Sequence, residues 1–208
     1  METTKKHLSI KVIYWVTNIT FWIFVLAAIL GFILAGAFML KIFDKTQLHV
    51  GIPVAINILE QGTLELNNSI SSVEFVEMYG KIHFIDTDPE IGQVYSLFIL
   101  AILSIFFYIF FTFRKFINNV YKGVYFEMKN ISLLKRISYA LVGVWGFTVL
   151  YAYFQYFYLL KNVEFSSIEI TSDVQTYPVI VLVALFIWVL SHIFMKGCEL
   201  QEETNYTI

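Results

Sequence analysis

The residues best suited to metal chemistry are two histidines, His49 and His83, which share one polar stretch, residues 42–90. The same stretch contains three aspartates: Asp44, Asp86 and Asp88. Two imidazoles and a carboxylate can hold a divalent metal ion, but the spacing here matches no compact ligand motif. Cys198 is the single cysteine, which excludes a cysteine-rich site and an internal disulfide. The sequence therefore predicts no metal site.

Three polar side chains fall inside otherwise apolar segments: Asn18, Gln155 and His192. An ionisable group inside a membrane is a functional candidate by default. His192, however, lies one turn before Lys196, near the water interface, so we expect a neutral imidazole with a structural role. We expect Asn18 to bridge two helices. No Asp, Glu, Lys or Arg lies within the core of these segments, which argues against an ion-coupled transporter.

Long apolar segments dominate the chain and determine its class. Of its 208 residues, 58% are hydrophobic and 14% are charged, against about 45–50% and 25% in a soluble domain. The sequence predicts an all-α membrane protein with four transmembrane helices: residues 12–40, 91–113, 137–160 and 174–195. A signal peptide cleaved near Ala35-Gly36-Ala37 is the alternative for the first segment, but an h-region has only about 7–15 residues.

Two segments between the helices have the composition of strands and turns. Residues 42–90 contain short β-branched and aromatic runs separated by Gly, Asn and Ser, and residues 161–173 are similar. We expect both to form a small β-rich cap, with 42–90 pairing with 163–172, because an isolated hairpin is marginally stable.

The distribution of charge predicts the side on which each segment lies. The connector of residues 114–136 contains six basic residues and one acid. With the N-terminus (1–11) and the tail (196–208), ten basic residues lie on one face of the membrane and four on the other. Lys and Arg resist translocation, so we expect a multi-pass membrane protein with both termini in the cytoplasm and the cap outside.

Small residues recur on two of the predicted helices. Ala27, Gly31 and Ala35 are four residues apart, and Ala140, Gly143 and Gly146 are three apart. Such ridges allow close helix approach. We expect them to pack within the four-helix bundle, and homodimerisation is the alternative.

The tail complements the basic connector in charge. It contains Glu199, Glu202 and Glu203 after Gly197, a plausible helix stop. We hypothesise that the tail docks on the connector. Exposed ion pairs contribute only about 0–1 kcal/mol each, so the hypothesis also requires apolar contacts of Leu200, Tyr206 and Ile208 with Val120, Val124 or Phe126. The alternative is a solvated tail beside a connector that attracts anionic lipids.

Two short patterns carry a resemblance to a known family. The connector contains Gly123-Val124-Tyr125-Phe126 followed by Asn130, Leu133 and Leu134, and the tail reads Gly197-Cys198-Glu199-Leu200-Gln201-Glu202-Glu203-Thr204-Asn205-Tyr206-Thr207-Ile208. These segments resemble the bacterial membrane family called domain of unknown function two-nine-seven-five. Its members typically show Gly-x-Pro-Phe and a tail like Leu-Gln-Glu-Glu-Asn-Asp-Leu-Thr-Ile. Tyr125 replaces the proline here, and Thr204, Asn205 and Tyr206 replace Asn-Asp-Leu.

The resemblance singles out candidate site residues and suggests partners. The residues are Gly123, Phe126, Asn130, Leu133, Gly197, Leu200, Glu202, Glu203, Thr207 and Ile208. The family has no assigned activity, but its members are often encoded beside small helix-turn-helix regulators, which implies a regulatory partnership.

We therefore expect an uncharacterised, non-enzymatic regulatory or sensory membrane component. No nucleophile, base and orienting group can be assembled from the sequence, and no cofactor is expected. The expected partners are the lipid bilayer, a cytoplasmic helix-turn-helix regulator and a second copy of the chain, with no direct contact to nucleic acid. The alternative function is a transport or immunity protein that handles a hydrophobic molecule or peptide.

Overall fold

The computed structural model describes residues 8–43, 46–56, 60–67, 69–75, 78–163, 170–171 and 176–206. The elements follow in the order α1 (Leu8–Met39), β1 (Thr46–Ile56), β2 (Glu60–Leu66), β3 (Ser69–Phe75), β4 (Met78–Thr87), α2 (Pro89–Tyr121), α3 (Met128–Tyr158), β5 (Ile170–Thr171) and α4 (Pro178–Tyr206). A short 3-10 helix, Leu160–Asn162, follows α3. The chain divides into two compact units. A helical unit contains α1, α4, most of α2 and the first part of α3, and a second unit contains the strands and the end of α3.

Each of the four α-helices is long and apolar enough to cross a membrane. They contain 32, 33, 31 and 29 residues, and at 1.5 Å per residue each exceeds the hydrocarbon thickness of about 30 Å. The predicted class, a helical membrane protein with four transmembrane helices, is confirmed.

The helices extend beyond the apolar segments. α2 continues from its apolar part to Tyr121, and α3 begins at Met128, so the predicted loop of residues 114–136 is helical except at 122–127. The apolar character of the chain ends at the first charged residue, but the helical hydrogen bonds continue past it, because Lys and Arg are good helix formers. We refer to residues 122–127 as the α2–α3 connector. It is the non-helical part of the longer basic segment 114–136, and the word connector has this narrower meaning below.

Gly197 does not end the fourth helix, contrary to the sequence-based expectation. α4 continues to Tyr206. Gly197 does not have a positive φ; among the described glycines, that conformation occurs at Gly123. A helix-ending glycine normally adopts that left-handed conformation. Glu199, Leu200 and Gln201 are good helix formers, and Lys196 pairs with Glu199 at 2.6 Å along the helix. We call Gly197–Tyr206 the α4 extension.

α1 and α2 pack as an antiparallel pair through their aromatic rings. The ring centroids of Tyr14 and Tyr121 are 4.1 Å apart and those of Phe24 and Phe110 are 4.9 Å apart. Four side chains of α1 are buried, and three of them, Phe21, Ala28 and Ala35, are seven residues apart, with Thr17 one turn before the first. This seven-residue repeat keeps one seam of α1 facing its neighbour.

Gly31 and Ala35 of α1 pack within the chain, as expected, whereas Ala27 is exposed and the glycines of α3 have no close neighbour. A Cβ on Gly31 would lie 2.7 Å from Leu103 Cδ1 of α2, so the packing interpretation is confirmed there. A Cβ on Gly143 or Gly146 would meet no atom within 4 Å. α3 instead contacts α4 through Ser138, whose hydroxyl donates to the Ala184 carbonyl at 2.8 Å. Homodimerisation through the α3 glycines stays a prediction.

The strands form two antiparallel sheets rather than one. β1 lies between β4 and β5, and it pairs with β5 through Ala55 opposite Thr171 and Ile56 opposite Ile170. This confirms the predicted pairing between residues 42–90 and 163–172. β2 and β3 form a separate two-stranded sheet. Asn67 follows β2 with a φ of +51°, a conformation that Asn tolerates better than most residues.

Candidate interaction site at the α2–α3 connector

Gly123 ends α2 and sets the direction of the connector. Its φ is +86°, and its N–H donates to the Val120 carbonyl at 3.0 Å. The N–H of Val124 donates to the Asn119 carbonyl, also at 3.0 Å. This pair of bonds is the Schellman motif, in which a left-handed residue satisfies the last helix carbonyls. Glycine adopts that conformation without the steric cost of a Cβ.

Asn130 holds the connector against the beginning of α3. Its side chain is 0% exposed. Its amide Nδ2 donates to the carbonyls of Val124 at 2.8 Å and Tyr125 at 3.1 Å. Its Oδ1 accepts a hydrogen bond from Asn119 Nδ2 at 2.8 Å. One buried amide therefore ties the end of α2, the connector and α3 together, and three of its hydrogen-bonding positions are used.

Phe126 joins the connector to α4. A Cβ on Gly197 would lie 2.6 Å from two atoms of the Phe126 ring, so the glycine allows the ring to lie directly on the helix backbone. The ring centroid is also 5.5 Å from that of Phe194, one turn earlier in α4. This close approach explains why a glycine occurs inside a continuous helix, where it is otherwise unfavourable by about 1 kcal/mol.

The α4 extension presents an acidic surface with one large apolar residue. Glu199, Glu202 and Glu203 are exposed, and Leu200 is 62% exposed. This exposure does not fit the burial expected from an apolar contact between Leu200 and the connector. Of the three glutamates, Glu202 lies on the side of Phe126, because both residues line one cavity. Thr207 and Ile208 lie outside the described residues.

A cavity of about 350 Å³ separates the start of α3 from the α4 extension. Its lining combines charged, polar and apolar side chains, including Glu127, Lys129, Cys198 and Glu202. Cys198 is buried. The mixed lining and the contact made by Phe126 indicate a surface suited to binding a partner. Within the described part of the chain, we find no set of side chains arranged for catalysis.

Asn18 bridges two helices, as predicted. Its partner is Arg114, the first residue of the predicted loop 114–136. Arg114 Nε donates to Asn18 Oδ1 at 2.8 Å, and Asn18 Nδ2 donates to the Tyr14 carbonyl at 2.8 Å. The guanidinium carbon of Arg114 lies 4.4 Å from the centroid of the Phe21 ring. Polar and aromatic contacts thus hold this charge at the end of the apolar segment.

The other polar candidates do not assemble with the connector. His192 stacks edge-on against Trp188 at 4.4 Å, and its Nε2 is buried without a hydrogen-bond partner among the described residues. Gln155 is buried in the second unit. The contact with Trp188 fits the structural role expected for the imidazole.

The two histidines considered as metal ligands are register partners in the sheet. His49 lies opposite His83 in the β1–β4 pair, and the His83 side chain is exposed. Asp44 lies outside the described residues. Among the described residues, no three His, Cys, Asp or Glu side chains are grouped as metal ligands.

Several residues of the site were missed by the sequence analysis. Asn119 was not singled out, although it bonds Asn130 across the connector, and Phe194 was not linked to Phe126. The one available signal was the Asn118-Asn119 pair shortly before a glycine, since Asn is common near helix ends. Leu133 is half-buried in α3. The roles assigned to Leu133, Glu202 and Glu203 stay predictions.

The four spanning helices place the chain among multi-pass helical membrane proteins. Its residues 58–208 match the family described as "Protein of unknown function (DUF2975)". The chain belongs to this family, which confirms the resemblance read from the connector and the tail. Comparisons with curated proteins and with solved structures gave no significant match. The matched region includes the connector, Asn130 and the α4 extension.

Proposed function

We propose that the protein is a non-enzymatic regulatory membrane component that binds a small cytoplasmic helix-turn-helix regulator through the α4 extension. The observation that supports this is the two-sided character of the extension. One side is fixed by the contact of Phe126 with Gly197 and lines a cavity through Glu202, and the rest of the helix surface exposes Glu199, Leu200 and Glu203. An ordered helix with exposed acidic side chains offers a binding surface at low entropic cost.

The chemistry of such a regulator complements this surface. A DNA-binding domain carries a basic face that meets phosphates. An acidic helix with one apolar anchor can occupy a basic, partly apolar groove in the helix-in-groove mode. A regulator held in this way is kept from DNA, because the same positive charges serve both partners. The family resemblance to proteins encoded beside such regulators supports the same partner.

The proposal requires both termini in the cytoplasm and the strands outside the bacterial inner membrane. The asymmetry of ten basic residues against four supports this orientation. The test is cysteine labelling in intact cells with a Cys198→Ser background. Ser69→Cys in the exposed β2–β3 turn should react with an impermeant maleimide, and Lys122→Cys should react only after permeabilisation. The reverse pattern would show the opposite topology.

Co-purification from native membranes tests the function. The wild-type protein should retain the helix-turn-helix regulator encoded beside it, and Glu202→Lys with Glu203→Lys should abolish this retention. The matched control reverses two exposed glutamates in the second unit, Glu65→Lys with Glu74→Lys, and should retain the regulator. Equal retention by both double variants, or no retention by the wild type, would reject the proposal.

A further inference from the structure

We propose that a groove between the end of α2 and the start of α3 binds the phosphate of an anionic phospholipid headgroup. The groove has a volume of about 530 Å³, within the range of small-ligand sites. Its charged lining consists of Lys115, Lys129 and Arg136. We call it the basic groove. It shares Lys129 with the cavity beside the α4 extension but includes no residue of that extension.

The positive charge of the basic groove is largely uncompensated. Its lining includes no acidic residue. Within the described part of the chain, neither Lys115 nor Arg136 forms a salt bridge. Lys129 lies 3.9 Å from Glu127, with both side chains substantially exposed, a pairing that contributes little. Two cations without a salt bridge and a third that is weakly paired favour an anionic ligand.

The other polar groups of the groove suit a phosphate. The amide of Asn118 and the hydroxyl of Ser132 also line it, and both can donate hydrogen bonds to phosphate oxygens. Arg136 can make a bidentate contact with two such oxygens. Leu133 contributes an apolar wall, which fits the glycerol and first acyl carbons of a lipid better than a free ion.

The position of the groove along the helices indicates the source of the phosphate. Lys115 comes two residues after the apolar run 91–113, and Arg136 directly precedes the run 137–160. Both are therefore at headgroup depth, where lipid phosphates are concentrated. Basic pockets between transmembrane helices bind anionic headgroups in this way. A zwitterionic lipid carries its own cation and is a poorer match for the net charge of the groove.

The test uses full-length protein in detergent, with thermal unfolding and native mass spectrometry as readouts. The probes are phosphatidylglycerol, phosphatidylcholine and inorganic phosphate. The variant is Lys115→Gln with Arg136→Gln, and the single variant Arg136→Gln guards against misfolding because that side chain is exposed. The matched control neutralises two basic residues of the same segment that do not line the groove, Lys122→Gln with Lys135→Gln.

We expect phosphatidylglycerol to raise the Tm of the wild type and to remain bound in the mass spectrum, while phosphatidylcholine does neither. The groove variant should bind phosphatidylglycerol at least about tenfold more weakly, since it removes two charged donors that line the groove and can bond the phosphate directly. The control should bind as the wild type does. Equal binding by the groove variant and the wild type would overturn the proposal. A Tm rise with inorganic phosphate but none with phosphatidylglycerol would also overturn it, in favour of a soluble phosphate compound.

Discussion

Asn130→Ala is the substitution for which the structure predicts the largest effect at the connector. It removes the side-chain amide that makes three hydrogen bonds. At about 0.5–1.5 kcal/mol for each bond, we expect a loss of about 2–4 kcal/mol in the free energy of unfolding. The side chain is fully buried, so the carbonyls of Val124 and Tyr125 lose their donor where water has poor access.

Two further variants separate the bonds. Asn119→Ala removes one of them and should cost about 1 kcal/mol. Asn130→Asp keeps the acceptor for Asn119 but places a carboxylate against two carbonyls, so it should destabilise at least as much as Asn130→Ala. The double variant Asn119→Ala with Asn130→Ala should be less destabilised than the sum of the single losses, because the two residues share one bond.

The assay is denaturant unfolding in detergent micelles, combined with limited trypsin cleavage after Lys122. Lys122 is exposed and lies in the connector that Asn130 holds. Asn130→Ala should therefore increase the rate of cleavage at this site as well as lowering stability. An Asn130→Ala protein no less stable than Asn119→Ala, with unchanged cleavage after Lys122, would refute the account of Asn130 as the residue that fixes the connector.

Four glycine substitutions test the other contacts, each by the midpoint of unfolding in the same assay. Gly123→Ala places a Cβ on a residue with φ +86° and should cost about 1–2 kcal/mol; an unchanged midpoint would contradict the helix-ending motif. Gly197→Ala should cost about 1–3 kcal/mol by displacing the Phe126 ring, and it should be harmless once Phe126→Ala has removed that ring. Gly31→Ala should destabilise through its contact with Leu103 at 2.7 Å, whereas Gly143→Ala, with no atom within 4 Å, should be neutral or stabilising by up to about 1 kcal/mol.

The sequence by itself determined the four helices and the strand-rich segments. An apolar run of about 20 residues crosses the hydrocarbon whatever its neighbours are, because helical hydrogen bonds are satisfied within the run. Strand chemistry is likewise local, and it located the segments 42–90 and 163–172 well enough to predict that they pair, which they do through β1 and β5. The division of the strands into two sheets was not predictable, because register depends on partners far apart in the chain.

Family signature residues were visible in the sequence, but their physical roles were not. Gly123 and Gly197 are the same residue type, yet one ends α2 with a positive φ and the other lies inside α4 beneath Phe126. Local propensity treats both as helix stops. The difference comes from residues that are distant in sequence. The Phe126 ring occupies the space that a Cβ at position 197 would need, so a glycine is required there inside the helix.

The same reasoning applies to the polar residues. Asn18 was expected to bridge helices, but its partner Arg114 lies 96 positions away, and the two bonds from Asn130 Nδ2 go to backbone carbonyls that carry no side-chain signature. Leu200 was assigned to the connector because it is apolar, and the direction of a continuous α4 instead leaves it exposed. Because α4 continues to Tyr206, each later side chain is rotated by 100° from the one before it. Which residues of the tail meet the connector was therefore decided by the tertiary structure alone.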